Sequence, residues 1–249
     1  MIPLRRHHFD TVGSTNDTAL QMAQNDEPQG TLITADQQSK GRGRSGRVWF
    51  DEPGQSVLMS IILRPDIPPT RLHQLSFVTS LSVAECLNVE CGLDISLKWP
   101  NDVFIGNKKL GGILIETDIK ENPPIAVIGL GINVNQRAFP PEIADIATSI
   151  VLEHGFNPNP GELSQSLAKA ILSNYEVYLC NGFEEILSRW HKYMWGCGRQ
   201  VSILTEGQTL HGAIMGVDST GALLLKDPDG NVKTVHAIDA MHLDIGIAG

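Results

Sequence analysis

The stretch KGRGRSGR at residues 40–47 alternates glycine with basic residues and joins two runs of strand-forming residues, 31–35 and 56–63. Glycine lets backbone N–H groups approach an anion closely, and guanidinium groups hold an anion through paired hydrogen bonds. A solvated basic loop is the alternative interpretation of four clustered cations. The alternation with glycine favours an anion-binding loop between two strands.

The chain after this loop mixes helix and strand patterns. Apolar residues recur at every third position across 71–87 and predict one helical face, with Gly92 as the residue that ends the helix. Further β-forming runs follow at 95–99, 103–105, 108–116 and 125–135. Gly106-Asn107 separates the second and third of these runs and predicts a tight hairpin.

The last third of the chain changes character. An irregular, proline-containing stretch at 136–160 is followed by two helical patterns, at 162–179 and 183–195. From Arg199 onward, short β runs are separated by turn residues about every ten positions, a spacing typical of a small all-β barrel.

The composition excludes several functional classes. A chain of 249 residues with 41% hydrophobic residues can bury one large domain and one small one. It has no apolar run long enough for a membrane span and no signal-peptide pattern at its start, so we expect a cytoplasmic protein without a membrane partner. The net charge of −9 disfavours nucleic acid as a partner. The four cysteines form no CxxC pair, and we expect reduced packing residues rather than metal ligands.

Four elements have residue types suited to one chemical task. They are Ser14-Thr15-Asn16, the basic loop with Trp49, the turn at 99–102 with Lys109, and the segment 129–133. Alone, Ser14-Thr15-Asn16 is typical of a helix N-cap, and GLGIN is typical of ordinary strand packing. No P-loop lysine motif is present.

Together these elements favour adenylate formation. Joining a carboxylate to the α-phosphate of ATP brings two anions into contact, and fixed cations stabilise the charge that develops. Lys109 and the arginines of the loop are candidate cations, Asp102 is a candidate to hold Mg²⁺ or orient a substrate group, and Trp49 is a candidate to cover an adenine face.

Four motifs resemble those of the biotin protein ligases and occur in the same order. They are GRGRSGRVW at 41–49, KWPNDV at 98–103, KLGGILIE at 109–116 and GLGINVN at 129–135. The resemblance implies an α+β fold in which a mixed β-sheet with helices, similar to class II tRNA synthetases and to the biotin and lipoate ligase fold, precedes a small SH3-like β-barrel. It implies a catalytic domain at 1–195 and the barrel at 196–249.

The resemblance also implies residue roles, with ATP and biotin as substrates. The implied catalytic residues are Lys109, Arg44 and Asp102, and Asp102 is also the implied ligand of Mg²⁺. The implied biotin contacts are Ser14, Thr15, Asn16, Gln38, Arg42, Gly43, Arg44, Lys109 and Gly112. The implied ATP contacts are Arg42, Arg47, Trp49, Asn101, Asp102, Lys109 and Asn133.

The same resemblance implies that biotin is transferred to a lysine of a biotin carboxyl carrier protein. The Ser14-Thr15-Asn16 motif leaves no room before it for a helix-turn-helix domain of about 60 residues. We therefore expect catalytic and C-terminal domains only, no DNA partner and no repressor function. Formation of a homodimer stays open.

The chain departs from the family pattern at a few positions. Ser45 and Val48 stand where relatives often have basic residues, and no arginine follows Arg199, which puts a nucleotide role for the barrel in doubt.

A lipoate or octanoate ligase or transferase is the nearest alternative function, although enzymes of that class lack the basic GRGRxGRxW run. A non-enzymatic biotin or nucleotide sensor is the other, although it gives no reason for Lys109 and Asp102.

Overall fold

A seven-stranded sheet forms the centre of the protein in the computed structural model, which describes residues 1–121, 123–205, 208–237 and 240–245. Its strands are β1 (Arg5–Val12), β2 (Thr31–Gln38), β3 (Ser56–Leu63), β4 (Ile95–Lys98), β5 (Asp102–Ile105), β6 (Lys108–Asp118) and β7 (Ile125–Asn133). They lie in the order β1-β2-β3-β7-β6-β5-β4, and β1 runs parallel to β2 while the other neighbours are antiparallel. The predicted mixed sheet is confirmed.

Helices cover both faces of the central strands. The described residues form α1 (Thr15–Gln24), α2 (Leu75–Cys91), α3 (Ile150–His154), α4 (Pro160–Asn181) and α5 (Phe183–Trp190). Ala19 and Ala23 of α1 pack against Ile33, Ile62 and Val127, while the alternate residues of the same strands join the core that includes α2 and α4. Burial on both faces explains why β3 and β7 are apolar runs rather than alternating ones.

The predicted helices are found with different ends. Gly92, with φ of 64°, ends α2 in the left-handed conformation that glycine favours. The predicted first turn of that helix is a 3₁₀ turn, Pro69–Gln74, and the helix predicted at 183–195 ends at Trp190. The edge strand β1 was not predicted, because its mostly polar residues show no clear alternation.

The second sheet contains β8 (Gln200–Thr205), β9 (Thr209–Val217), β10 (Leu223–Lys226), β11 (Val232–Val235) and β12 (Ala240–Ile245). All its pairings are antiparallel, in the order β11-β10-β9-β8-β12. The small all-β segment is therefore confirmed. Within the described residues, β11 and β12 are edge strands that do not pair with each other, so the sheet is not closed into a barrel there.

Hydrogen bonds at and after β4 hold the C-terminal part of the chain beside the first sheet. The indole Nε1 of Trp99 donates to the carbonyl oxygen of Gly221 at 3.0 Å, and the backbone N–H of Trp195 donates to Leu97 at 3.0 Å. Hydrophobic residues of both sheets belong to one continuous core. The second sheet is therefore held beside the turn that contains the KWPNDV motif.

The four cysteines are free thiols, as predicted. Cys86 is buried and Cys91 is half-buried against the core, but Cys180 and Cys197 are exposed, so their assignment as packing residues was wrong. Periodicity placed them at helix edges and could not show which side of the chain faces water. None of the described helices is long and apolar enough to cross a membrane.

Candidate active site

One cavity of about 280 Å³ is lined by residues from all four sequence motifs. Every site residue predicted from sequence lines it: Ser14, Thr15, Asn16, Gln38, Arg42, Gly43, Arg44, Arg47, Trp49, Asn101, Asp102, Lys109, Gly112 and Asn133. The structure thus brings together positions that are up to about 120 residues apart in sequence, because β2, β3, β6 and β7 are neighbours in the sheet.

One end of the cavity is polar and is built at the start of α1. Ser14 occupies the N-cap position, as predicted, but its side chain makes no capping hydrogen bond. The backbone N–H of Thr15 instead donates to Gln38 Oε1 at 2.8 Å, and Thr15 Oγ1 lies 2.8 Å from the hydroxyl of Ser60. Ser60 is fully buried on β3 and was missed by the sequence analysis, since a lone serine in an apolar strand has no distinctive pattern.

Asn16 completes this polar end. Its Nδ2 donates to Glu116 Oε2 at 2.7 Å, and its Oδ1 accepts from Ser60 Oγ at 2.6 Å. A Cβ added at Gly129 would overlap the Asn16 side chain. The first glycine of GLGIN is therefore required for the close approach of α1 to β7, which replaces the interpretation of ordinary strand packing.

Arg42 is held between two carboxylates that the sequence analysis did not single out. Its guanidinium donates to Asp17 at 2.8 and 2.6 Å and to Glu116 at 2.9 Å. The hydrogen bond from Arg42 lowers the pKa of Asp17, and the carboxylates raise the pKa of Arg42. Asp17 and Glu116 therefore fix the base of the basic loop against α1 and β6 and neutralise its first arginine.

The cavity also contains an ion pair. Lys109 Nζ donates to Asp102 Oδ1 at 2.6 Å, across the paired strands β5 and β6. A Cβ at Gly112 would lie 3.3 Å from Lys109 Nζ, so the glycine leaves room for the lysine side chain. The hairpin predicted from Gly106-Asn107 thus places both groups at one site, as expected.

The indole of Trp49 forms one wall of the cavity. A Cβ at Gly131 would lie 2.7 Å from Trp49 Cε2, so the ring rests directly on the bare backbone of β7. The ammonium of Lys109 lies 6.0 Å from the ring centroid. A flat aromatic surface beside an ammonium group suits a planar base next to a phosphate.

Arg44 reaches from the basic loop toward the second sheet. One guanidinium nitrogen donates to Ala237 O at 2.5 Å, and another lies 3.4 Å from Asn101 Oδ1. Burial lowers the pKa of Arg44, which the negative charge of Asp102 partly offsets. Arg47 is exposed at the rim of the same cavity.

Two asparagine side chains already hold protein carbonyls. Asn101 Nδ2 donates to Ile113 O at 2.7 Å, and Asn133 Nδ2 donates to Thr148 O at 2.9 Å. Their amide groups therefore shape the cavity wall, in addition to any contact that their oxygens make with a ligand.

The cavity also has an apolar rim that the sequence analysis missed. Phe139, Ile143 and Ile146 line it, and Phe139 contacts Phe50 edge to face with ring centroids 6.3 Å apart. These residues come from the segment 136–149, which has no helical or strand period and was interpreted only as irregular. Their common position follows from long-range contacts rather than from a local pattern.

A magnesium ion would find few protein ligands here. Among the described residues that line the cavity, Asp102 is the only carboxylate. One carboxylate together with substrate phosphates is a donor set that Mg²⁺ accepts in nucleotide sites, so the residues fit this ion. The group His8, Asp10 and Asp36 consists of exposed residues on β1 and β2 that do not line the cavity.

Comparison with known proteins agrees with this geometry. The family model "Biotin/lipoate A/B protein ligase family" matches residues 9–133, and "Biotin protein ligase C terminal domain" matches 196–240. The chain is 38% identical to the bifunctional ligase/repressor BirA of Bacillus spizizenii, over 92% of this chain and 71% of that protein. It is 32% identical to the biotin--[acetyl-CoA-carboxylase] ligase of Paracoccus denitrificans, over 87% and 92% of the two chains.

Among solved structures, a biotin protein ligase from Aquifex aeolicus in complex with biotin and ATP has the same fold. Its TM-score is 0.86 at 32% identity, and the alignment covers 97% of this chain and 99% of that one. The similarity therefore includes both sheets and the loops around the cavity.

Proposed function

This chain belongs to the Biotin/lipoate A/B protein ligase family, and we propose that it activates biotin with ATP to biotinyl-5′-AMP and transfers the biotinyl group to one lysine of a biotin carboxyl carrier protein. The observation that carries the proposal is one cavity lined by the polar group around Asn16, the Lys109–Asp102 ion pair and the indole of Trp49. Relatives of this chain are named as biotin ligases, and a biotin protein ligase of the same fold was solved with biotin and ATP.

In the first half-reaction, a carboxylate oxygen of biotin attacks the α-phosphorus of ATP, and pyrophosphate leaves. Arg44, Arg47 and Lys109 supply positive charge where two anions meet and where negative charge grows in the transition state. Asp102 holds the Lys109 ammonium at 2.6 Å, which aims it before the substrates arrive. Mg²⁺, held by Asp102 and the phosphates, would neutralise charge on the leaving pyrophosphate.

In the second half-reaction, the neutral amine of the carrier lysine attacks the acyl carbon of biotinyl-5′-AMP. The carbon–oxygen bond to the phosphate breaks, AMP leaves, and the amine loses a proton to water. The same cations stabilise the negative charge on the departing AMP. The mixed anhydride must stay in the cavity until the lysine arrives, which makes the basic loop important for retention.

Biotin is favoured over lipoate by the polar end of the cavity. The ureido ring of biotin needs hydrogen-bond partners, and the cavity offers polar groups from Ser14, Thr15, Asn16 and Gln38. The end of a lipoyl chain has no ureido group that would form hydrogen bonds with them. The match of residues 196–240 to a domain named for biotin protein ligases supports the same choice.

The proposal includes a division of the chain at residues 195 and 196 into a catalytic domain and a C-terminal domain. The family match that begins at residue 196 supports this boundary. A cytoplasmic location, the absence of a DNA partner and the formation of a homodimer stay predictions.

Pyrophosphate release tests the proposal. The purified chain is incubated with ATP, Mg²⁺ and either biotin or lipoate, and then with an isolated carrier domain whose mass is measured. We expect pyrophosphate with biotin only, and a mass increase of the carrier by one biotinyl group. Release with lipoate instead would indicate the alternative ligase, and tight binding of biotin without release would indicate a sensor.

A further inference from the structure

Thr148 uses all three of its polar groups to tie separate elements together. Its backbone N–H donates to Lys109 O at 2.9 Å, and its carbonyl accepts from Asn133 Nδ2 at 2.9 Å. Its hydroxyl donates to Glu153 Oε1 of α3 at 2.5 Å. The side chain is only 1% exposed, so none of these groups has easy access to water.

Lys109 lies where the neighbour of β6 changes. β7 pairs with β6 only as far as Gly111, opposite Ile132, and then continues away from it. At Lys109, the segment 146–148 replaces β7 as the hydrogen-bonding neighbour of β6. The Lys109 N–H donates to Ile146 O at 2.7 Å, and the Lys109 carbonyl accepts from the Thr148 N–H. The backbone of Lys109 is thus held by a loop segment and not by β7.

The other side of Lys109 is also irregular. On β5, Val103 pairs with Gly111 and Phe104 pairs with Lys109, so the residue between them on β6, Leu110, is an extra one. Such a bulge bends the strand and re-aims the neighbouring side chain. Because its pairing with β5 is irregular, Lys109 depends for its position on the segment 146–148, which pairs with its other side.

We infer that Thr148, together with Asn133, is a positioning residue that sets where the Lys109 ammonium lies in the cavity. The Asn133 side chain bridges the gap that opens where β7 leaves β6, and it holds the segment 146–148 in place by the Thr148 carbonyl. The Thr148 hydroxyl fixes the same segment to α3. The effect on turnover rests on the proposed function, whereas the effect on the position of Lys109 does not.

Two variants weaken the Thr148 junction, that is, the hydrogen bonds of Thr148 to Lys109, Asn133 and Glu153, in different ways. Thr148→Val removes the hydroxyl and keeps the shape, and Asn133→Ala removes the donor to the Thr148 carbonyl. We expect both to lower kcat for biotinyl-adenylate formation by up to about a hundredfold, the loss that a misplacement of about 1 Å can cause. In Thr148→Val, KM for ATP and for biotin should change little, because Thr148 does not line the cavity. Thr148→Ser, which keeps the hydroxyl, should restore most of the rate.

Thr79→Val is the matched control. Thr79 is fully buried and its hydroxyl donates to Leu75 O at 2.7 Å, but it lies on α2 and does not line the cavity. The loss of one buried hydroxyl should lower the stability of Thr79→Val and of Thr148→Val alike, but it should reduce kcat only in Thr148→Val. An equal effect on kcat in Thr79→Val would show that Thr148 acts only through stability, and a raised KM for ATP in Asn133→Ala would show direct nucleotide binding.

Competitive labelling of lysines by acetic anhydride tests the position of Lys109 without any turnover. Lys109 is ion-paired and partly buried, while Lys169 on α4 is exposed and serves as the internal reference. We expect the labelling rate of Lys109 relative to Lys169 to rise several-fold in Thr148→Val and Asn133→Ala, and not in Thr79→Val. Unchanged relative labelling would overturn the inference. If the native chain forms no adenylate, the proposed function fails and the labelling still decides this point.

Discussion

The guanidinium of Arg44 is hydrogen-bonded to the backbone carbonyl of Ala237 at 2.5 Å, so the basic loop of the first sheet is tied to the turn between β11 and β12 of the second. The C-terminal part of the chain therefore contacts the active-site loop although it has no arginine after Arg199. Its contribution here is a backbone acceptor, which leaves no signal in the side-chain sequence.

Arg44→Gly should separate the two half-reactions. The substitution removes the link to Ala237 and one cation, but Lys109 and Arg47 remain, so activation should continue at a reduced rate. The loop would hold the intermediate less firmly, and biotinyl-5′-AMP should escape and acylate exposed lysines of other proteins. Dissociation of the adenylate and biotin on an added bystander protein are both measurable in one reaction.

Arg44→Lys provides the comparison for this variant. It keeps the charge and loses the planar fork that reaches a carbonyl and an amide together, so bystander labelling should fall between the native and glycine proteins. Native values of adenylate release and bystander labelling in Arg44→Gly would show that Arg44 has no part in retention.

Lys109→Ala should block adenylate formation with little effect on folding. The ammonium faces negative charge that grows only in the transition state, and removal of one such group costs about 100- to 1,000-fold in rate. The ion pair with Asp102 is partly exposed and contributes little to stability. Pyrophosphate release and urea unfolding measure the two effects, and the exposed neighbour Lys108→Ala is the control. A native rate in Lys109→Ala would disprove its catalytic role.

Gly131→Ala should displace the Trp49 indole. The added methyl group would lie 2.7 Å from Trp49 Cε2, closer than carbon atoms tolerate, and the ring is the part able to move. We expect a weaker apparent affinity for ATP and altered tryptophan fluorescence. Gly13→Ala is the matched control, because a Cβ there meets nothing within 4 Å. The same loss of ATP affinity in both variants would contradict a role for the Trp49 position.

Asp17→Asn should destabilise the protein more at neutral than at acidic pH. The hydrogen bond from Arg42 holds the pKa of Asp17 in the folded state below the usual value of an aspartate. The carboxylate therefore contributes stability above the unfolded pKa, and this contribution is lost as the pH falls through the folded pKa. Urea unfolding of native and variant proteins at pH 7 and pH 3 measures it, and the difference between them should shrink at pH 3. An equal difference at both pH values would contradict the assignment.

Local patterns were sufficient for much of the fold. The three-residue period at 71–87 and Gly92 correctly predicted α2 and its end, and Gly106-Asn107 correctly predicted the hairpin of β5 and β6. These features depend on neighbours in the chain, whose geometry the side chains decide directly. The edge strand β1 was not predicted, because a strand with little burial lacks the alternation of apolar residues that indicates a strand.

The sequence by itself also identified the polar and charged residues of the cavity, through motifs that resemble those of the biotin protein ligases, but it missed the apolar rim at Phe139, Ile143 and Ile146. Only the tertiary structure decided their partners: Asp17 and Glu116 at Arg42, Ala237 at Arg44, and the Thr148 junction at Lys109. These contacts join residues from 25 to 193 positions apart, and two use backbone groups that every residue carries. A pattern along the chain cannot specify such pairs, because they exist only when the sheet order brings the elements together.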